Sequence, residues 1–180
     1  MMDIDYSDNV YKPAEDTYLI IDNVIPEGKI LEIGAGTGII SIFFALKGYD
    51  VTSSDISEHS IDLIGKNAKK NHANLDIIKS NLFENIHGIY DTIIFNPPYL
   101  PVENESLQWS GGKDGFGTTG KFLDSAYKYL NKNGNIYIIL SDLTNVEKFI
   151  EKYRIYTFER VKCEHFDFES IILYRLKVRT

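Results

Sequence analysis

At 180 residues with 43% hydrophobic content, the chain can close one core with little left for a second, so a single domain over 1–180 is expected. A formal net charge of -7 argues against a protein whose main business is a phosphate backbone, although it leaves room for a local basic patch. The one cysteine, Cys163, excludes an intramolecular disulfide framework, and His59, His72, His87 and His165 show no ligand spacing with it, so no metal is expected. Met1 to Asn9 is acidic and polar, without the regions of a signal peptide, and no apolar run is long enough to span a membrane. A cytoplasmic enzyme fits this balance.

In chain order, Tyr11-Lys12-Pro13-Ala14-Glu15-Asp16-Thr17 comes first, and Ala14, Tyr18, Ile21 and Ile25 follow at helical spacing. This reads as an N-terminal helical extension over about 11–26 with proline at its entrance, where Glu15 and Asp16 complement the positive end of the helix dipole. Lys29 to Ile33 is the first strand. It runs into Glu32-Ile33-Gly34-Ala35-Gly36-Thr37-Gly38, and Ile39, Ile42, Phe43 and Leu46 then give a helical stripe. Strand, glycine loop and helix make a ligand-binding turn, but Ile39 stands where the dinucleotide fingerprint needs glycine or alanine. Taken alone, the loop is weak evidence, since a tight strand-to-helix packing turn is the lesser alternative.

Val51 to Ser54 is the second strand and ends at Asp55. An acid about 20 residues beyond the glycines can accept both hydroxyls of a ribose. The alternative for Asp55 is a cap, beside Ser57, for the helix Glu58 to Asn71, on which Lys66, Lys69 and Lys70 read as a solvated face. A short strand, Ile77 to Lys79, leads to Asn81-Leu82-Phe83. Asn81 can read the edge of a purine with Leu82 packed near its plane, or simply form the turn.

Thr92 to Phe95 is a β-branched and aromatic run of the kind buried on both faces of a parallel sheet, and Pro97 stops further pairing. Asn96 therefore sits at a strand's carboxyl end, outside which open α/β sheets bind ligands. Its amide oxygen lies beside the carbonyl of Pro97, and two acceptors side by side suit an NH2 group. Val102 to Gly120 shows no periodicity, and its Trp109-Ser110-Gly111-Gly112 stretch marks about 100–120 as a substrate-facing loop. Phe122 to Leu130 reads as a helix ended by Gly134, Ile136 to Leu140 as a buried strand, and Val146 to Tyr153 as a helix. Tyr156 to Cys163 and Ser170 to Leu176 close the chain as a hairpin. Alternating strands and helices with this ending imply an α/β fold, a mainly parallel sheet with helices on both faces.

Glu32-x-Gly34-x-Gly36-x-Gly38, Asp55 and Asn96-Pro97-Pro98-Tyr99 together resemble the class I, Rossmann-like methyltransferases that use S-adenosylmethionine to methylate planar nitrogen. The Asn-Pro-Pro-Tyr signature is shared by enzymes acting on glutamine side chains and by those acting on exocyclic amines of DNA or RNA bases. Tyr11 to Thr17 and Trp109 to Gly112 are similar to the short, archaeal and eukaryotic branch of HemK-like protein glutamine methyltransferases. That resemblance covers nearly the whole chain and implies a seven-stranded sheet with a C-terminal antiparallel hairpin. It also implies a substrate, the glutamine of the Gly-Gly-Gln motif of a class I release factor, and a possible partner, a small zinc-binding activator. By matching position, Thr17, Glu32, Gly34, Gly36, Gly38, Asp55, Asn81, Leu82 and Asn96 would line the cofactor site. Asn96, Pro98, Tyr99 and Trp109 would meet the substrate, with Asn96, Pro97 and Tyr99 carrying the chemistry. The chain departs from the family at Asn81, where aspartate is expected. N-methylation of a nucleobase is the main alternative, and a catalytically silent methyltransferase-like scaffold is a third reading.

An amide NH2 has its lone pair delocalised into the carbonyl, so it is a poor nucleophile and too weak an acid for prior deprotonation. The Asn96 oxygen and the Pro97 carbonyl would accept the two N–H groups and stabilise charge developing on nitrogen. Tyr99 would stack on the flat group. Asparagine rather than aspartate at position 96 is expected to leave the site neutral.

Overall fold

The central strands show almost no face to water. Ile30–Ile33 (β1), Val51–Asp55 (β2) and Tyr90–Phe95 (β4) are buried along almost their whole length, as strands covered on both faces must be. The computed structural model describes residues 2–98 and 116–179. Asp76–Lys79 (β3), Leu130–Ser141 (β5), Tyr156–His165 (β6) and Ser170–Val178 (β7) complete a seven-stranded sheet in the order β3-β2-β1-β4-β5-β7-β6. The first five strands run parallel; β7 is antiparallel to β5, and β6 to β7.

The helices Glu15–Asn23 (α1), Ile39–Leu46 (α2) and Glu58–Lys70 (α3) cover one face of this sheet, and Gly117–Ala126 (α4) and Val146–Lys152 (α5) the other. The period of two along each strand divides the core accordingly. Ile93 and Phe95 pack with Phe122, Leu123 and Phe149 of α4 and α5. Ile94 points the opposite way, among Leu19, Ile20, Ile40 and Phe44 of α1 and α2. Each fully buried aliphatic of this kind contributes roughly 1.5 to 3 kcal/mol.

Four boundaries differ from expectation. The stripe expected on α1 included Tyr18 and Ile25, but these are 47% and 79% exposed, and Leu19, Ile20 and Ile21 take the core face. Ile25 precedes Pro26, whose ring disfavours the helical conformation there, and Val24 has already turned extended. The last glycines of the expected loop belong to the first turn of α4. A Cβ on Gly120 would lie 2.8 Å from the Tyr153 hydroxyl, so this glycine serves close packing of α4 on the segment that ends α5. The helix expected to run to Leu130 ends at Ala126 in a 3-10 turn, Tyr127–Tyr129. Gly134, expected to stop that helix, instead lies within β5, where the register against β4 shifts between Tyr90 and Thr92. Its missing side chain leaves room for the Asp91 carbonyl, which a Cβ would approach to 2.8 Å.

Candidate active site

The register brings three motifs to one level. Ile33 pairs with Ser54 on one side and Phe95 on the other, so the next residues, Gly34, Asp55 and Asn96, leave the carboxyl ends of three adjacent strands together. This is the edge at which open α/β sheets hold ligands. The loop after β1 is built from left-handed turns: Gly34, Gly36 and Gly38 have φ of 67°, 56° and 79°. Their surroundings differ. A Cβ on Gly36 would find nothing closer than Val10 Cγ1 at 3.7 Å, whereas one on Gly38 would press on Ile64 of α3.

Asp55 ties this loop down. Its Oδ2 accepts from Gly36 N at 2.9 Å and its Oδ1 from Ser57 N at 2.8 Å, so the carboxylate stands between the glycine loop and the entrance of α3. The cap itself is Ser57, whose hydroxyl accepts from Ser60 N. Each Asp55 oxygen retains acceptor capacity beyond its one backbone donor. Asn81 lies at the exposed end of β3; its Nδ2 donates to Glu84 Oε1 at 2.9 Å, turning that end of the amide away from incoming donors. Leu82 beside it holds a φ of 50°, unusual for a branched residue and a mark of a tight turn.

Glu32 is 3% exposed and accepts a hydrogen bond from Ser41. Burial pushes its carboxyl up to about 8, against the opposing pull of the Ser41 hydrogen bond. No cation pairs with it among the described residues. Its folded value lies above its unfolded one, so the folded state holds the extra proton. Stability must therefore fall as pH rises from the ordinary carboxylate range toward 8, then level off. Calorimetric melting across pH 5 to 9 is expected to show this slope in the wild type, and a shallower one in Glu32→Gln. Parallel profiles would mean that Glu32 does not carry the proton.

Asn96 is held from behind. Its Nδ2 donates to Asp16 Oδ2 at 3.0 Å, while its Oδ1 is buried and has no hydrogen-bond partner among the described residues. A buried acceptor left without a donor costs about 1 to 3 kcal/mol, which a ligand N–H can recover. Asp16 is 3% exposed and also accepts from the Tyr11 hydroxyl, at 3.0 Å to each oxygen, and from Thr17 N at 2.6 Å. Two expectations are corrected here. Asp16 is no mere complement to the helix dipole, a position left to the exposed Glu15. Nor is the surrounding site neutral, because an acidic side chain lies directly behind the Asn96 amide. Thr17 is buried with its hydroxyl turned to Asp16 Oδ1 at 3.2 Å.

The segment ahead of α1 contributes more than its polar composition suggested. Asp3 and Asp5 exchange backbone hydrogen bonds with the side chains of Asn71, which caps α3, and of Asn67 on it, and Lys70, expected on a solvated face, forms ion pairs with both acids. Asn67 also donates to Thr37 O at 2.9 Å, so this strap and the glycine loop share a partner. Pro97 is buried and Pro98 half-buried after Asn96, while Tyr99 and Trp109 lie outside the described residues.

Strand order, the antiparallel seventh strand and a glycine loop level with Asp55 and Asn96 define the class: a Rossmann-like, class I methyltransferase. Residues 15–166 match the model of the methyltransferase small domain. A Methanocaldococcus jannaschii protein, named as a candidate protein N5-glutamine methyltransferase, is 40% identical over 155 residues, covering 81% of this chain and 79% of its own. The release factor glutamine methyltransferase of Lactococcus lactis is 30% identical over 150 residues, covering 73% of this chain but 56% of its own, so the chain spans little more than half of that relative. Among solved structures, the E. cuniculi Mtq2-Trm112 complex, described as methylating the eRF1 translation termination factor, superposes with a TM-score of 0.76 at 21% identity. The match covers 95% of this chain and 99% of that one, and it shows the fold. The chain belongs to the methyltransferase small-domain family, on its HemK-like protein glutamine methyltransferase branch.

Proposed function

We propose that the chain is an S-adenosylmethionine-dependent methyltransferase acting on the side-chain amide of the glutamine in the Gly-Gly-Gln motif of a class I release factor. The observation that carries this reading is the buried Oδ1 of Asn96, without a hydrogen-bond partner among the described residues, at the same level as the glycine loop and Asp55. It is an acceptor aimed where an NH2 group would enter. The names of the relatives favour a protein amide over a base.

The site residues fit the cofactor. The loop of Gly34 and Gly36 lets backbone approach its amino-acid part, and the buried carboxyl of Glu32 suits an ammonium group. The remaining acceptor capacity of Asp55 suits the ribose hydroxyls. Asn81, with its amide nitrogen held by Glu84, keeps Oδ1 for the adenine amine beside Leu82. Bound there, S-adenosylmethionine supplies an electrophilic methyl group. The chain's own contribution is to hold the amide. Asn96 Oδ1 and the Pro97 carbonyl accept its two N–H groups, fix the nitrogen's lone-pair direction and stabilise charge growing on it. The product nitrogen carries a methyl in place of one proton, which transfer makes acidic and which then leaves to water.

Tyr99 and Pro98 would flank the amide, and Trp109, in the substrate-facing loop expected over about 100–120, would meet the protein substrate. The whole of 1–180 would act as one domain, in the cytoplasm, with a small zinc-binding protein as activator. Among the described residues, no helix is long and apolar enough to cross a membrane.

Asp55→Ala is expected to weaken cofactor binding about tenfold to a hundredfold, the worth of hydrogen bonds to a charged acceptor, and to lower the melting point slightly through the lost Gly36 and Ser57 bonds. Titration calorimetry showing unchanged affinity would remove Asp55 from the ribose. The function itself is tested by transfer of labelled methyl to a Gly-Gly-Gln peptide, a Gly-Gly-Asn peptide and single-stranded DNA and RNA, with and without the zinc protein. Label on the first alone supports the reading. Label on nucleic acid alone replaces the substrate and leaves the acceptor geometry standing.

A further inference from the structure

An asparagine amide presents two ends of nearly equal shape, one a donor and one an acceptor, so something must decide which end meets the substrate. If Nδ2 of Asn96 faced an incoming NH2 group, donor would oppose donor. The bond from Asn96 Nδ2 to Asp16 Oδ2, at 3.0 Å, joins residues 80 positions apart in the chain and leaves Oδ1 pointing elsewhere, buried and without a partner among the described residues. Asp16 accepts from the Tyr11 hydroxyl, from Thr17 N and Oγ1, and from Asn96 Nδ2. Such an all-acceptor pattern belongs to a carboxylate.

We propose that Asp16, braced by Tyr11, is the positioning residue that locks the Asn96 amide with its oxygen toward the substrate nitrogen and makes that oxygen a stronger acceptor. The second effect follows from conjugation. An anion against Nδ2 draws the amide toward its charge-separated form and places more electron density on Oδ1, where positive charge on the substrate nitrogen has to be met. Burial and the Asp16 charge both raise the Tyr11 phenol, so it remains a donor at neutral pH. α1 thus does more than fill the core. It carries an acid that reaches the end of β4 and reads out as the orientation of one amide.

This inference rests on the proposed function only in taking Asn96 as the acceptor for the reacting nitrogen. The test compares wild type, Asp16→Asn, Asp16→Ala and Tyr11→Phe for kcat, peptide KM and cofactor Kd, and repeats Asp16→Ala in the Asn96→Ala background. Asp16→Ala is expected to lower kcat about tenfold to a hundredfold, with KM and Kd within about twofold. Asp16→Asn, which keeps an acceptor but no charge, should fall between it and the wild type. With Asn96 already removed, losing Asp16 should cost less than about twofold further, because the two act as one unit. A kcat within about twofold of wild type in Asp16→Ala, or an equal loss in both backgrounds, overturns the proposal. If the Asp16 variants do not fold, Tyr11→Phe decides. Its kcat should drop about threefold or more at unchanged Kd, and exchange of the Asn96 side-chain amide protons, followed by NMR, should quicken. No change in either overturns it. The exchange measurement needs no methyl acceptor, so it stands even if wild-type protein leaves the Gly-Gly-Gln peptide unmodified.

Discussion

Asn96→Ala is expected to reduce kcat by roughly 10² to 10³, about 3 to 4 kcal/mol of transition-state stabilisation, while the protein stays folded. The size follows from what the reaction leaves available. A glutamine amide cannot be deprotonated in advance by any side chain here, so positioning and fixed dipoles carry the whole burden. The substitution removes a buried acceptor that has no donor among the described residues and that stands level with the glycine loop and Asp55. It also costs Asp16 one donor, the Nδ2 at 3.0 Å, while those of Tyr11 and Thr17 remain. Steady-state kinetics together with a thermal melt check this. A well-folded Asn96→Ala enzyme with near-normal kcat would remove Asn96 from the chemistry.

Gly38→Ala is expected to be the most damaging single methyl in the glycine loop, and for a packing reason. Its φ is 79°, a conformation that costs a residue with a Cβ about 1 to 2 kcal/mol. The new atom would lie 3.0 and 3.1 Å from the two γ carbons of Ile64 and 3.4 Å from its Cα. Ile64 is fully buried on α3 and has nowhere to retreat, so overpacking adds about 1 to 3 kcal/mol. Together these lower the melting point on the order of 10 °C for a chain of this size. The double variant Gly38→Ala/Ile64→Ala should be less unstable than the sum of the two single variants, since the alanine at 64 makes room. Additive losses would show that the strain lies in the backbone alone.

Much of the site was legible because its parts end strands. An apolar β-branched run stopped by Pro97 fixed Asn96 at a carboxyl end, and the glycine and acid motifs fell into register with it once the strands paired. What escaped the sequence is the layer behind. An acid in the first turn of a helix already has a sufficient explanation in the helix dipole, and nothing at Asp16 announces a partner 80 residues away. Only the packing of α1 against the sheet brings the two together, which is why the site was expected to be neutral and is not. The strap formed by Asp3 and Asp5 escaped for a similar reason: its partners are side chains on α3, invisible to periodicity. Gly134 misled differently. A glycine after a helical stripe ordinarily marks a helix end, but here it admits a neighbouring carbonyl within a strand.

The most direct measurement is fragment mass spectrometry of a release factor after incubation with labelled S-adenosylmethionine and the purified chain, wild type and Asn96→Ala, with the proposed activator protein supplied. One label on the side-chain nitrogen of the Gly-Gly-Gln glutamine, present with wild type and nearly absent with the variant, is the predicted result. Label on another residue, or equal labelling by both proteins, would contradict the account.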